Sequence, residues 1–360
     1  MHLQTNNQMK QSLKQTIAIL FGGCSSEYSV SLSSAHAVIQ NLDKQKYMPI
    51  PIGISQNGQW YYFHGDIDKL LTDTWCNLED CTPATLSPDK SQHGLLLLED
   101  HIVRTIKLDA VFPVLHGKNG EDGTLQGMVE LSGIPLIGCG TLPSALCMDK
   151  DRAHKLVAAS GIRVPLSLRL TSSSQTPKAA NFAEQIGYPL FVKPVKAGSS
   201  YGITKVPNES ALAKAILLAF EYDNEVLLEE AIEGFEVGCA IIGTEILTVG
   251  EVDEIELSGG FFDFTEKYTL KTSDIHVPAR IDKTISNKIK ETAKRIYQIL
   301  GCRIFARVDM FLTPDGEIVF NEVNTIPGFT EHSRFPGMLK AAGYSFPQIL
   351  DTIIELGVSA

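Results

Sequence analysis

The sequence predicts an α/β fold whose N-terminal unit is built on a parallel sheet. Two strand–loop–helix units carry that expectation: Thr16-Ile17-Ala18-Ile19-Leu20-Phe21 stopped by Gly22-Gly23, and Leu108 to Leu115 running into a glycine-rich loop. Short apolar runs that alternate with helical segments are the pattern of buried parallel strands and their crossover helices. Function is then expected at the carboxyl ends of those strands. A length of 360 residues, against about 150 for a typical domain, adds the expectation of two or three packed units.

Composition narrows the function classes. Hydrophobic residues make up 44% and charged residues 20%, ordinary values for a globular protein. The net charge of −11 argues against nucleic acid or an anionic membrane as partner. No apolar run approaches the ~20 residues of a membrane span. Residues 1–15 are polar, lack a signal-peptide core and read as a tail. Seven scattered cysteines without a Cys-x-x-Cys pair point to free thiols in a reducing cytoplasm.

In chain order, the first strand hands its loop to a helix over 27–42. The second unit is a strand at 108–115, a loop, a helix over 124–131 and a third strand at 134–137. Residues 53–104 between them are polar and turn-rich, with Trp60 to Phe63 as a strand. After Gly138 come a helix from Ala153 to Ser160, strands at 164–170, 189–195 and 225–230, and a helix over 210–220. A long helix near 283–300, two strands and a C-terminal helix close the chain. The divisions expected are a tail (1–15), an N-terminal substrate-binding unit (16–138), a central unit (139–230) and a C-terminal unit (231–360).

The segment with most chemistry is Phe305 to Phe311, then Asp315-Gly316, then Val319 to Asn324. Asp-Gly between extended runs signals a two-residue hairpin. Centring the turn there pairs Asp309 with Glu322 and Arg307 with Asn324 on one face, with Phe311 and Phe320 as apolar neighbours. Two carboxylates and an amide oxygen suit Mg²⁺. An Arg–carboxylate network on a solvated sheet face is the alternative. Lys193 at a strand end, followed by Gly198-Ser199-Ser200-Tyr201-Gly202, offers an ammonium and a loop of donors for an anion, or simply a flexible turn. Lys150 is a second cation or a surface lysine. Glu27, after Gly22-Gly23-Cys24-Ser25-Ser26, either binds a substrate ammonium or favours the helix N-terminus. The loop His116 to Gly123 ends a strand and implies special backbone geometry beside a ligand, or only a tight turn.

In order along the chain, these pieces resemble the ATP-grasp D-alanine–D-alanine ligase family. The matching motifs are Phe21-Gly22-Gly23-x-Ser25-x-Glu27, His116 to Gly123 with Thr124-Leu125-Gln126-Gly127, Met148-Asp149-Lys150, and Lys193-Pro194 with Gly198-Ser199-Ser200. Glu266-Lys267-Tyr268, Arg307-Val308-Asp309 and Asn321-Glu322-Val323-Asn324-Thr325-x-Pro327-Gly328 complete them. The resemblance implies a three-domain ATP-grasp fold, with ATP between the central and C-terminal domains. It further implies Lys150 and Lys193 on the phosphates, Glu229 near the adenine, Glu236 on the ribose, and Asp309, Glu322 and Asn324 on two Mg²⁺ (or Mn²⁺) ions. Glu27 would orient the first D-alanine and join Ser199 and Tyr268 in closing the site. Arg307 and the backbone at Gly328 would stabilise an oxyanion. Ser333 would bind the second carboxylate, with His116 and Lys267 also toward substrate. Residues 253–274 would be a mobile lid, and a homodimer is the family expectation.

Two residues depart from the family pattern. Tyr201 stands where a small aliphatic residue is usual, and Arg334 where leucine, methionine or glutamine is usual in D-alanine-specific members. Ser333-Arg334-Phe335-Pro336 matches ligases of the vancomycin-resistance type. A guanidinium offers donors to an acceptor's carboxylate or hydroxyl, so D-serine is the expected second substrate, with D-alanine also used. The alternatives are an ordinary D-alanine–D-alanine ligase, with Arg334 paired to an acidic neighbour, and a non-catalytic nucleotide-binding module.

Overall fold

A computed structural model of the chain describes residues 14–99, 102–198, 201–257 and 273–359. β1 (Gln15–Gly22) sends Ile17, Ile19 and Phe21 into one apolar core and Ala18 and Leu20 into another. That is the period-two placement of a strand buried on both faces. α1 (Tyr28–Asn41) returns the chain to β2 (Tyr47–Ile54), which pairs in parallel with β1. β3 (Trp60–Phe63), β4 (Cys81–Leu86), β5 (Gly94–Glu99) and β6 (Ile102–Lys107) follow by antiparallel steps. β7 (Ala110–Pro113) joins the other side of β1 in parallel, giving the order β6-β5-β4-β3-β2-β1-β7.

The first sheet is therefore mixed. Only β2, β1 and β7 form the expected parallel sheet; residues 53–104 supply an antiparallel extension. The strand expected at 134–137 is reduced to one parallel bridge between Val111 and Leu136. α2 (Thr124–Ser132) lays Leu125 and Val129 on the second core.

α3 (Thr141–Met148) and α4 (Lys150–Ala159) follow. The central sheet comprises β8 (Ser167–Leu170), β9 (Leu190–Pro194), β10 (Thr204–Val206) and β11 (Val226–Glu230), in the antiparallel order β10-β9-β11-β8. α5 (Thr176–Ile186) and α6 (Glu209–Phe220) cover it, and Ala183 and Ile216 share its core with Val192 and Leu228.

The last sheet holds β12 (Phe235–Gly243), β13 (Leu247–Val249), β14 (Asp253–Leu257), β15 (Ser273–His276), β16 (Ile304–Leu312) and β17 (Ile318–Asn324). Its order is β15-β14-β12-β16-β17, with β13 on β12. α7 (Lys283–Ile299) packs Ile289, Ala293 and Ile296 against it, and α8 (Arg334–Ala341) and α9 (Phe346–Val358) end the chain.

Packing departs from the expected divisions in two places. Cys147, Ala153 and Val157 share a core with Ile296, Val308 and Phe320, so α3 and α4 pack with the last sheet and not with the central one. Ile349 and Ile353 of α9 share a core with Ile17, Ile19 and Phe112, so the last helix closes the first unit. Tyr47 Oη donates to Asp351 Oδ1 at 2.6 Å across that seam. The segment expected as a lid starts in β14 and ends in β15, strands that pair with each other; residues 258–272 lie outside the described residues. No described helix is long and apolar enough to cross a membrane.

The β16–β17 hairpin pairs Arg307 with Asn324 and Asp309 with Glu322, as the Asp-Gly turn predicts. Nearer the turn the partners are Met310 with Phe320 and Phe311 with Val319, one residue off that register. Thr313 and Glu317 bracket a longer turn, and a bulge at Asn321 restores the site's pairing. Bulges recur beside active sites, where they re-aim side chains and free backbone groups.

Candidate active site

The loop after β1 is built to hold Glu27. Gly22 has φ +87° and a Cβ there would collide with the Ile54 carbonyl, so the close turn into the loop requires glycine. Gly22 N–H donates to Ser31 Oγ at 2.8 Å. Ser25 Oγ donates to the His116 carbonyl at 2.7 Å, tying this loop to the one after β7. Glu27 stands at the N-cap of α1 and makes no side-chain cap hydrogen bond. It is buried at 8% exposure. Its Oε2 lies 2.8 Å from the place of a Cβ at Gly117 and 2.5 Å from one at Gly198, so both loops close on this carboxylate and both need glycine to do so.

A pocket of about 390 Å³, open to solvent, lies among Glu27, Glu121, Lys150, Gly198, Glu322 and Asn324. Lys150, one residue into α4 and 7% exposed, donates to the Ala197 carbonyl at 2.9 Å and sits 3.3 Å from Glu322 Oε2. Opposite strands bring Lys193 of β9 and Glu229 of β11 into a buried ion pair at 2.5 Å. His116 is buried, with Nδ1 2.9 Å from the Ile326 carbonyl. Burial holds its imidazole below the usual range, against the pull of Glu27.

On the same face of the hairpin as Glu322, Asp309 is 1% exposed and accepts from three donors. Arg307 Nε and Nη2 reach it at 2.9 and 2.7 Å, and Asn324 Nδ2 at 2.8 Å. Arg307, Asp309 and Asn324 are thus hydrogen-bonded together, and Glu322 stands at the register position opposite Asp309. Ser333 lies beside Gly328, where a Cβ would be 2.9 Å from Ser333 Oγ. That hydroxyl also accepts from Thr330 N at 3.0 Å.

Arg334 is surrounded by acidic side chains. Its guanidinium is buried, with Nε and Nη2 donating to Asp253 at 2.7 and 2.9 Å and Nη1 to Glu236 at 2.8 Å. Asp309 lies 3.3 Å from Nη2. Its donors are engaged by carboxylates of its own chain. The acidic-neighbour alternative describes its surroundings. Glu236 is likewise placed in this clamp, where a ribose contact was expected. Tyr201 stacks on Tyr222 at 6.2 Å. Ser199, Lys267 and Tyr268 lie outside the described residues.

Sequence reasoning missed Asp253, Glu121 and His154. Asp253 was read as lid, yet its carboxylate is fully buried on β14. Glu121 lies inside the glycine-rich loop already singled out and accepts from Gly117 N at 2.9 Å. Burial and the nearby charges of Glu27 and Glu322 push its carboxyl up to about 8. The folded protein then keeps a proton that the unfolded chain loses near 4.5, so this group subtracts stability as pH rises from about 4.5 to about 8. Glu121→Gln is expected to remove that slope. Urea midpoints of the ligand-free protein should diverge between variant and parent from about pH 5 to about pH 8, the variant being the more stable at the upper end. Parallel profiles would show that Glu121 is ionised throughout.

Comparison with known proteins fits this geometry. Residues 16–139 match the family model described as D-ala D-ala ligase N-terminus, and residues 156–355 match D-ala D-ala ligase C-terminus. The chain belongs to the D-alanine–D-alanine ligase family. It is an ATP-dependent ligase with the ATP-grasp fold of that family. Among solved structures it resembles the VanG D-Ala:D-Ser ligase from Enterococcus faecalis, with a TM-score of 0.88 and 57% identity, covering 95% of this chain and 99% of that one. It is 46% identical over 351 residues to the vancomycin B-type resistance protein VanB of Enterococcus faecalis, covering 96% of this chain and 99% of the relative. It is 42% identical over 351 residues to the D-alanine–D-alanine ligase of Caldicellulosiruptor bescii, covering 96% and 95%.

Proposed function

We propose that this ligase joins the carboxyl group of D-alanine to the amine of D-serine, making a dipeptide for peptidoglycan precursors of the kind that lowers vancomycin binding. The observation that carries the choice of acceptor is the 57% identity to the D-Ala:D-Ser ligase structure.

The residues support a two-step reaction. The D-alanine carboxylate attacks the γ-phosphorus of ATP, giving an acyl phosphate and ADP. The acceptor amine then attacks the carbonyl, and the tetrahedral intermediate expels phosphate. Glu27 holds the first ammonium, with Gly117 and Gly198 shaping the space around its carboxylate. Lys150 exchanges Glu322 for phosphate oxygens, and Lys193, oriented by Glu229, adds a second positive charge. Arg307 and the Gly328 N–H face the oxyanion. Ser333 Oγ holds the acceptor carboxylate. Ser199, Lys267 and Tyr268 are proposed to close the site against water, which would hydrolyse the acyl phosphate.

Asp309, Glu322 and Asn324 fit Mg²⁺. They are hard oxygen donors on neighbouring register positions, and Asn324 commits its amide nitrogen to Asp309, keeping its oxygen for a cation. When bound, the ions would neutralise charge on the transferring phosphoryl group.

Steady-state kinetics with the acceptor varied separately test the proposal. At saturating ATP and D-alanine donor, kcat/KM for D-serine at the second site should exceed that for D-alanine by about tenfold or more, the discrimination open to a pocket that hydrogen-bonds a hydroxyl. A higher value for D-alanine would assign the chain to ordinary D-alanine–D-alanine synthesis.

A further inference from the structure

One buried histidine has no place in the chemistry above. His154 lies one helical turn beyond Lys150 on α4, 2% exposed, with its ring edge-on to Phe320 at 5.5 Å. Its Nε2 is 2.7 Å from the backbone carbonyl of Asn321, the bulged residue of β17 whose position takes no partner in the β16 ladder. A carbonyl only accepts, so Nε2 carries the ring hydrogen. Burial keeps the imidazole neutral, and the ammonium groups of Lys193 and Lys150 act in the same direction against Glu229. Nδ1 therefore presents a lone pair.

That lone pair faces another acceptor. His154 Nδ1 and Glu229 Oε1 are 3.5 Å apart, both are buried, and neither has a hydrogen-bond partner among the described residues. Glu229 cannot turn away, because its other oxygen holds Lys193 at 2.5 Å. Two unsatisfied acceptors side by side are costly and call for a donor that serves both. A primary amine attached to an aromatic ring carries one hydrogen for each, and a nitrogen at about 2.9 Å from both reaches them through two bent hydrogen bonds.

We infer that His154 and Glu229 together receive the 6-amino group of the adenine of ATP, and that His154 is a nucleobase-selecting residue of this ligase. The inference rests on the reading that Glu229 lies at the adenine and adds a second acceptor to it. A 6-oxo purine brings oxygen lone pairs against both acceptors, and a purine with hydrogen at position 6 leaves both unsatisfied. Selection of ATP over GTP or ITP follows.

Equilibrium calorimetry on the full chain, without turnover, separates the two parts. The ligands are ADP and the diphosphate of purine riboside, which lacks the 6-amino group. The proteins are wild type, Glu229→Gln and His154→Phe, the last keeping a ring against Phe320 without nitrogen. Wild type should prefer ADP by about tenfold or more, and His154→Phe should cut that ratio to about threefold or less. A wild-type ratio near one would overturn the adenine reading of Glu229 and the inference with it. A large ratio that falls in Glu229→Gln and is untouched in His154→Phe would overturn the role of His154 alone. The His154 ¹⁵Nδ1 resonance of the wild-type protein gives the same answer without any substitution. ADP should shift it and the 6-hydrogen analogue should not; equal responses to both would refute the contact.

Discussion

Glu322→Gln is expected to lower turnover by about 10²–10³-fold and to leave the fold intact. The glutamate stands opposite Asp309 in the hairpin register and 3.3 Å from Lys150. Amide for carboxylate keeps the size but turns one acceptor oxygen into a donor and removes the charge that a hard cation favours. D-Alanine-dependent phosphate release and dipeptide formation should fall together, since both depend on the first phosphoryl transfer. Lys150 loses the charge of one partner and keeps the Ala197 carbonyl, so the variant should still unfold in a single cooperative transition from a native fold. Near-normal turnover at saturating Mg²⁺ would remove Glu322 from the mechanism.

Arg334→Leu is expected to act on stability instead, at a cost of about 3–5 kcal/mol. The guanidinium is the shared partner of Asp253, Glu236 and Asp309, and two of those carboxylates are almost completely buried. Removing it leaves buried charges of one sign facing each other, the costliest way to break such a cluster. Arg334→Lys restores the charge without the fork and should recover part of the loss. The ratio of kcat/KM for D-serine to that for D-alanine should stay within about twofold of wild type in Arg334→Lys, because the side chain spends its donors inside the protein. A stable variant with inverted acceptor preference would return Arg334 to the substrate pocket.

Much of the site could be read from local sequence because it is local. The Asp315-Gly316 turn and alternation along two strands set 307, 309, 322 and 324 on one face. The turn is nevertheless one residue longer, and a bulge at Asn321, which no local pattern marks, compensates for it. Other features depend on contacts that no local pattern announces. β6 is exposed at nearly every position, so it has no alternation to betray a strand. Arg334 meets Asp253 across 81 residues and Tyr47 meets Asp351 across 304. A conspicuous arginine beside a substrate motif suggested a ligand contact, and only the fold reveals three carboxylates around it. His154 carried one usable signal, its i+4 spacing from Lys150 on a helix whose first turn faces the pocket.

The acceptor is the centre of the functional account, and one competition decides it. Purified enzyme is supplied with ATP, Mg²⁺ and D-alanine, with equal D-serine and D-lactate, near neutral pH, and the products are separated and identified. D-Alanyl-D-serine as the main product is the expected result, with D-alanyl-D-alanine as the minor one. A mixture dominated by D-alanyl-D-alanine, or by the D-lactate depsipeptide, would contradict it.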